Sequence, residues 1–461
     1  MNCAKPRRSV MQSICKFFRR ASVKILAFAA VSAAALALSG CPITGGARFA
    51  VGGTLTGLTG SGLVLELNGG SDLSFNSNGG FSFGTRLDNS AAYSVTVRTQ
   101  PGNPTQNCTV RNASGTIDKA SITNVIVACT QAGRFAYVAN VQSNTISGFA
   151  IESSGALVPL SGSPFAANGS GPAGLAVDPD GQFLFVANNG SNSVSVYSIN
   201  AATGALTSTG FPIAAGTGPV AVTVDPTDHF VYVANLTSNN ISAYMINGST
   251  LTPVVDAPFN AGAGPASLAI DPNGNFLYAT NFSGNTISVF LIDQANGMLS
   301  GVSGSPFAAG AGPVSIAIDR ANSFAFVSNN SAGTIGEYAL NATTGALTPI
   351  SGSPIAAGTN PLALTIDPTG RYLFGANADA ANQVATFAIT PATGALTVSS
   401  TAAAGTLPIA VAIDPSGQFL YAANSNSNDV SAYTVSTSGA LVPVAGSLFA
   451  VGVQPHAIAI D

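Results

Sequence analysis

Asp178-Pro-Asp-Gly-Gln-Phe-Leu-Phe-Val-Ala-Asn188, with Asn192-Ser-Val-Ser-Val-Tyr-Ser-Ile199 close behind it, is the stretch from which the fold can be read. Asp-Pro-x-Gly is turn chemistry: the Asp side chain accepts backbone bonds, Pro presets the next φ and Gly closes the turn. The two apolar runs after it, rich in Phe, Val, Tyr and Ile, read as strands. The pattern recurs seven times. Its closing asparagine returns as Asn140, Asn188, Asn235, Asn281, Asn329, Asn377 and Asn424, at intervals of 46 to 48 residues. Residues 133–461 make 329, which is seven times 47.

Within the second unit four strand-like segments follow in order: Ala173–Val177, Phe183–Ala187, Val194–Ile199 and a weaker one near Ala205-Leu-Thr207. Four short strands per repeat of this length predict an all-β, seven-bladed β-propeller. The last unit ends one strand into a blade, at Pro455–Asp461, whereas the first begins at Phe135 with a second strand. The C-terminal strand is therefore expected to complete the first blade and hide the open edges of the ring.

Only 7% of the residues are charged and 46% are hydrophobic. Beyond the N-terminus each apolar run is broken by Gly, Asn, Ser or Pro far short of a membrane-spanning helix. From Cys41 onward there are 8 basic and 19 acidic residues, and no Lys follows Lys119. A phosphate backbone needs Lys and Arg to displace its counterions, so nucleic acid is not an expected partner.

Residues 1–40 have the order of an export signal: a basic region (Lys5 to Lys24), an apolar segment from Ile25 to Leu38, then small residues. Leu38-Ser-Gly-Cys41 resembles the lipobox of bacterial lipoproteins, which implies acylation of Cys41 and a mature N-terminus there. Without acylation the same stretch is an ordinary cleaved signal. The lipobox reading places the protein in the bacterial cell envelope, anchored to a membrane through a linker at 41–47 and facing the periplasm or outer membrane. Met11 can serve as the start, since Met11 to Cys41 already makes a complete leader. Cys3 and Cys15 leave with the leader, so Cys108 and Cys129 remain. They either pair or stay as two buried thiols; an exported chain favours the pair, worth about 3 kcal/mol by loop entropy.

Residues 48–131 alternate between apolar and polar in segments such as Leu63-Val-Leu-Glu-Leu67 and Tyr93-Ser-Val-Thr-Val97, with Asn-Gly-Gly turns between them. This predicts a small antiparallel β-sandwich, read as a stalk or adaptor.

The units Tyr137-Val-Ala-Asn140, Tyr232-Val-Ala-Asn235 and Tyr278-Ala-Thr-Asn281, with turns such as Asp271-Pro-Asn-Gly274, carry a family likeness. They resemble the seven-bladed propellers of the lactonase family, which includes propeller-type 6-phosphogluconolactonases and carboxymuconate cyclases, and the related tyrosine-valine-threonine-asparagine surface repeats. The resemblance implies the fold, and with it a lactone hydrolase or cyclase activity. It rests on framework residues.

The seven aspartates Asp178, Asp225, Asp271, Asp319, Asp367, Asp414 and Asp461 read as turn formers, and the seven asparagines as caps acting through their side-chain oxygen. Ligands are expected on the face carrying the second-to-third-strand loops and the blade crossovers. Those loops are nearly uncharged, while Arg134, Arg320 and Arg371 fall on the opposite face. A sugar phosphate needs cationic donors, so a phosphorylated substrate is not expected. His456 stands out because its slot holds Ala173, Val220, Ala266, Val314, Leu362 and Ile409 in the other units. Asp379 and Asp429, in the neighbouring blades six and seven, are the carboxylates expected beside it, and the three form the candidate catalytic set. Glu337, which breaks the pattern of the third strand, reads as exposed, and His229 as a surface turn residue. Phe282 is the one aromatic in a second-to-third-strand loop. With no phosphate loop and no Cys/His cluster of ligand spacing, neither a cofactor nor a metal is expected.

Two functional readings follow. The leading one is a monomeric, lipid-anchored envelope protein whose propeller is a binding or scaffolding platform for a protein, a neutral polymer or a small molecule at its loop face. The alternative is a lactonase acting on a non-phosphorylated lactone.

Overall fold

The computed structural model describes residues 47–58, 61–101, 106–131 and 135–461, and every regular element among them is a strand. Cys41 and the leader lie outside the described residues, as does Arg134.

The N-terminal strands form two four-stranded sheets. One runs in the order Gly79–Asp88, Arg48–Thr56, Ile122–Gln131, Gln106–Arg111; the other Ser71–Phe75, Leu63–Leu67, Ala92–Thr99, Ser114–Thr116. Alternation decides what is buried: Leu63, Leu65 and Leu67 point inward, joining Val51, Leu55, Val95, Val125 and Val127 in one core. The Cys108–Cys129 disulfide closes beside that core. One pairing departs from the antiparallel expectation: Arg48–Thr56 runs parallel to Ile122–Gln131, because the chain leaves and re-enters that sheet through the second one.

Each propeller blade is built as the repeat predicts. In blade two the strands are Pro172–Val177, Phe183–Asn188, Ser193–Ile199 and Leu206–Ser208, from the centre outward. A two-residue crossover strand, Ile213–Ala214, adds to the third strand. Blade one completes itself from both ends of the array, with the order Leu157–Pro159, Thr145–Ile151, Phe135–Asn140, Pro455–Ile460. Ile458 pairs with Val138 there, and the inner strands then touch one another in an unbroken ring. Second and third strands are buried on both faces, which is why Phe183-Leu-Phe-Val-Ala187 and its counterparts are continuously apolar.

The aspartates act as read. Asp178 Oδ1 accepts from the backbone N–H of Gln182 (2.7 Å) and Phe183 (2.8 Å), and the same geometry recurs at Asp319 and Asp367. Asp461 makes this bond to Phe135 N at 2.9 Å, 326 residues away, so the last turn of the ring is capped across the chain ends.

The asparagines differ from expectation in their chemistry. Asn329 alone accepts through its oxygen, from Gly310 N at 3.1 Å; in the other six only the amide nitrogen bonds, as Asn188 Nδ2 donates to Ser195 Oγ at 2.8 Å, Asn235 to Ser242 at 2.9 Å and Asn424 to Ser431 at 2.8 Å. Ser242 and Ser431 also accept from crossover glycines, Ser242 Oγ from Gly216 N at 3.2 Å and Ser431 Oγ from Gly405 N at 3.1 Å. A Cβ on Gly216 would meet Asn235 Cγ at 2.6 Å, so the asparagine is sealed beneath the crossover. All seven are buried and belong to the framework.

A second set, unremarked in the sequence, ties blade to blade. Asn144, Asn192, Asn239, Asn285, Asn382 and Asn428 take positive φ, and each side-chain oxygen accepts from a backbone N–H of the next blade, as Asn144 does from Gly171 at 2.7 Å. Asn tolerates that left-handed conformation better than most residues, which explains its use here.

Candidate functional site

The inner strands begin with Pro172, Pro219, Pro265, Pro313, Pro361, Pro408 and Pro455, the one strand position where a missing N–H is harmless. The ladder slips just after each proline, leaving Ala173, Val220, Ala266, Val314, Ile409 and His456 with no residue opposite, and a wider slip at Leu362. These seven bulge residues line a central channel of about 550 Å³. Bulges turn a side chain or carbonyl out of the ladder, and that is their effect here. Leu236 and Phe282, from second-to-third-strand loops, also line the channel and place its mouth on the loop face.

His456 is the only titratable side chain among the lining residues. Its Nδ1 lies 2.8 Å from the carbonyl oxygen of Ala173, the neighbouring bulge residue. A carbonyl only accepts, so Nδ1 carries the proton and Nε2 keeps a free lone pair. The imidazole is reached by solvent along the channel yet crowded by its walls. That crowding disfavours the charged form and holds the pKa below the ordinary histidine value, against a smaller opposing effect of the Ala173 bond. The ring is therefore neutral at pH 7, with Nε2 available as a base.

The carboxylates expected beside it are elsewhere. Asp379 accepts from Ala381 N at 2.9 Å and Asn377 Nδ2 at 3.3 Å, forming its own loop turn. Asp429 opens a third strand and accepts from Asn424 Nδ2 at 2.7 Å, the role that Thr286 and Asn240 play toward Asn281 and Asn235. Neither is among the residues lining the channel. Chain order had put the three in adjacent blades, but both aspartates are spent on asparagines of the framework.

Glu337 corrects a second expectation: it is 2% exposed, not a surface residue. Its Oε1 accepts from Leu396 N of blade six at 2.8 Å, and burial pushes its pKa up. His229 is exposed, as read. No group of three or more His, Cys, Asp or Glu side chains suited to a metal occurs among the described residues.

A ring of seven four-stranded blades around a channel defines the class of protein. The chain belongs to the lactonase family of seven-bladed β-propellers, whose family model matches residues 126–257, 247–361 and 353–453. Among solved structures, it is similar to a protein of Bacteroides uniformis designated a candidate 6-phosphogluconolactonase, at 23% identity and TM-score 0.64, over 72% of this chain and 100% of that one. A Bacteroides fragilis protein of the same designation matches at 21% identity and TM-score 0.64, over 72% and 98%. The periplasmic gluconolactonase PpgL of Pseudomonas aeruginosa matches at 21% identity and TM-score 0.59, over 71% and 98%. These likenesses speak for the fold. No curated protein matches the chain in sequence.

Proposed function

We propose that this protein hydrolyses a non-phosphorylated lactone in the central channel, with His456 as general base. The observation that carries the reading is a channel whose single titratable side chain is a neutral imidazole with Nε2 free. Nε2 takes a proton from water as its oxygen attacks the lactone carbonyl. The tetrahedral intermediate then breaks the ring C–O bond, and the imidazolium returns that proton to the leaving alkoxide, giving a hydroxy acid. Ala173 O holds the ring in the tautomer this requires. The absence of cationic side chains from the lining is the reason for excluding a phosphate on the substrate.

The full chain, given a panel of neutral and phosphorylated lactones, should open the neutral ones. His456→Gln should lower turnover by about 10² or more, the usual contribution of a general base. The rate should fall as pH drops through a value below the ordinary 6.5 of histidine, since protonation removes the base. Undiminished turnover in His456→Gln, or a preference for the phosphorylated members, would overturn the reading.

The isolation of His456 from Asp379 and Asp429 favours a second reading, a platform binding a protein or neutral polymer at the uncharged loop face. Absence of turnover on every lactone, together with a specific envelope partner, would establish it instead. Under either reading we place the protein in the bacterial envelope, anchored through lipid on Cys41. Cys41→Ala should move the protein from the membrane fraction to the soluble one and abolish incorporation of labelled palmitate. Membrane retention without label would sink the anchor.

A further inference from the structure

We propose that the substrate taken by this channel is a lactone bearing an aliphatic chain, with the chain lying among the bulge residues and the lactone ring held between His456 and Phe282. The inference rests on the channel being the site, and it adds the class of ligand.

The chemistry of the lining decides against a sugar lactone. Below the mouth, the walls are Leu175, Val222, Leu268, Val411 and Ile458, with the aliphatic bulge residues above them. Ser267 and Ser315 are the only polar lining side chains besides His456, and Ser315 Oγ already accepts from Leu364 N at 3.1 Å, so two hydroxyls are what the wall offers a polyol. A sugar lactone carries a hydroxyl on most ring carbons, and each would leave water for a wall with little to offer it. An alkyl chain meets the opposite balance: every methylene withdrawn from water into such a wall tightens binding about fourfold. A volume of about 550 Å³ is in the range that takes a small molecule, and it exceeds what a bare lactone ring fills.

Phe282 supplies the second observation. Blade four, which carries it, lies across the ring from blade one, which carries His456. The Phe282 side chain is 37% exposed at the mouth and lines the same channel as the imidazole. An exposed aromatic ring and the lone titratable group on opposite sides of a largely apolar throat suit an amphiphile: the carbonyl end at His456, the C–H face of the ring on Phe282. Elsewhere in the array, Phe165 and Phe307 sit half-buried in the crossovers and pack on their own blades.

Binding is separated from turnover by measuring it calorimetrically on His456→Gln, using γ-butyrolactone, γ-octalactone, γ-dodecalactone and glucono-δ-lactone as probes. Affinity should rise about fourfold per methylene before levelling off as the channel fills. Glucono-δ-lactone should bind more weakly than γ-octalactone. Phe282→Ala should weaken the chain-bearing probes by about tenfold, and Ala266→Trp, which fills the bulge ring, should erase the dependence on chain length. The melting curve of each variant checks that it folds. Affinity independent of chain length, or tighter binding of glucono-δ-lactone, overturns the proposal. Chain-dependent binding without ring opening in the wild-type protein overturns the hydrolase reading and leaves this one standing. Ring opening without chain dependence does the reverse.

Discussion

At the scale of single residues, what matters is where the repeat is broken. Glu337 stands where other third strands have Gly148, Val196, Ala243, Val289, Thr386 or Ala432. It faces Phe326, which replaces the tyrosine found at this register in blades one, three, four and seven. In blade one that tyrosine, Tyr137, donates its hydroxyl to Gly204 O of the next blade at 2.7 Å; Glu337 instead ties blade five to six by accepting from Leu396 N. Its Oε2 is buried with no hydrogen bond, a poor place for a charge. The folded state therefore holds the proton more tightly than the unfolded chain does. Glu337 costs nothing below the ordinary carboxylate range and destabilises the ring as pH rises through its raised pKa. Glu337→Gln keeps an acceptor for Leu396 and removes the charge. Urea unfolding should find the variant more stable by about 1 kcal/mol at pH 8, with little difference at pH 4. A variant less stable at pH 8 would show that the charge is satisfied. The sequence marked Glu337 as an exception but placed it wrongly, because strand alternation cannot tell a blade-to-blade interface from solvent when both faces of the strand are covered.

At the scale of elements, the turns between first and second strands form a second circuit beneath the blades. In several blades the fourth residue of the turn approaches the turn of the preceding blade: a Cβ on Gly181 would lie 4.0 Å from Asp461, and Asn322 Nδ2 donates to Asp271 Oδ2 at 2.7 Å. Blade three places Asp228 in that slot, toward Asp178, with φ of 59° against 55° for Asn322. Asp228 Oδ1 and Asp178 Oδ2 are both buried without a hydrogen bond. Two carboxylates in the place of an amide and a carboxylate repel one another, which favours the protonated form of each. Burial, then the charges of Asp178, Asp180 and Asp225, push Asp228 up to about 7, with Arg111 of the sandwich opposing. Burial raises Asp178 to about 6. Arg111 also binds Asp180 Oδ2 at 2.8 Å, an ion pair from sandwich to propeller beside this slot; exposed His229 follows Asp228 in the chain. Both raised values mean that Asp178 and Asp228 cost nothing below the ordinary carboxylate range and destabilise the fold as pH rises through 6 to 7. Asp228→Asn should restore the amide bond of blade five and flatten that fall. We expect a gain on the order of 1–2 kcal/mol at pH 8 and none at pH 4, read from denaturant unfolding at the two values. An equal change at both would show that the charge of Asp228 is not what costs stability. The strands themselves were legible from alternation and turn chemistry. This slot was not, since it depends on which turns meet, and all seven aspartates look alike in sequence.

At the scale of the whole molecule, closure governs both stability and the site. It was legible in the sequence, because an array that begins at a second strand and ends after a first one can seal itself in only one way. The slot exception at His456 was legible too; its partner was not, since the Ala173 carbonyl is main chain and becomes available only through the bulge. Seven blades touching in a ring leave no blade an independent core: Val138 and Tyr421, from blades one and seven, belong to one cluster with Ile458 of the closing strand. Removing Pro455–Asp461 therefore strips the inner strand from blade one, uncaps Phe135 N and exposes the edges of both neighbours. The loss should spread around the ring and not stop at one blade, because each inner strand rests on the next. A chain ending at Gln454 should melt in one transition at a clearly lower temperature than the full chain, whereas Asp461→Ala, which keeps the closing strand and removes the cap on Phe135 N, should cost about 1–2 kcal/mol. Adding the missing segment back as a peptide should recover part of the melting temperature, since it supplies a strand to a waiting edge. A truncated chain that melts at the full-length temperature would mean that the six remaining blades hold the ring closed by themselves.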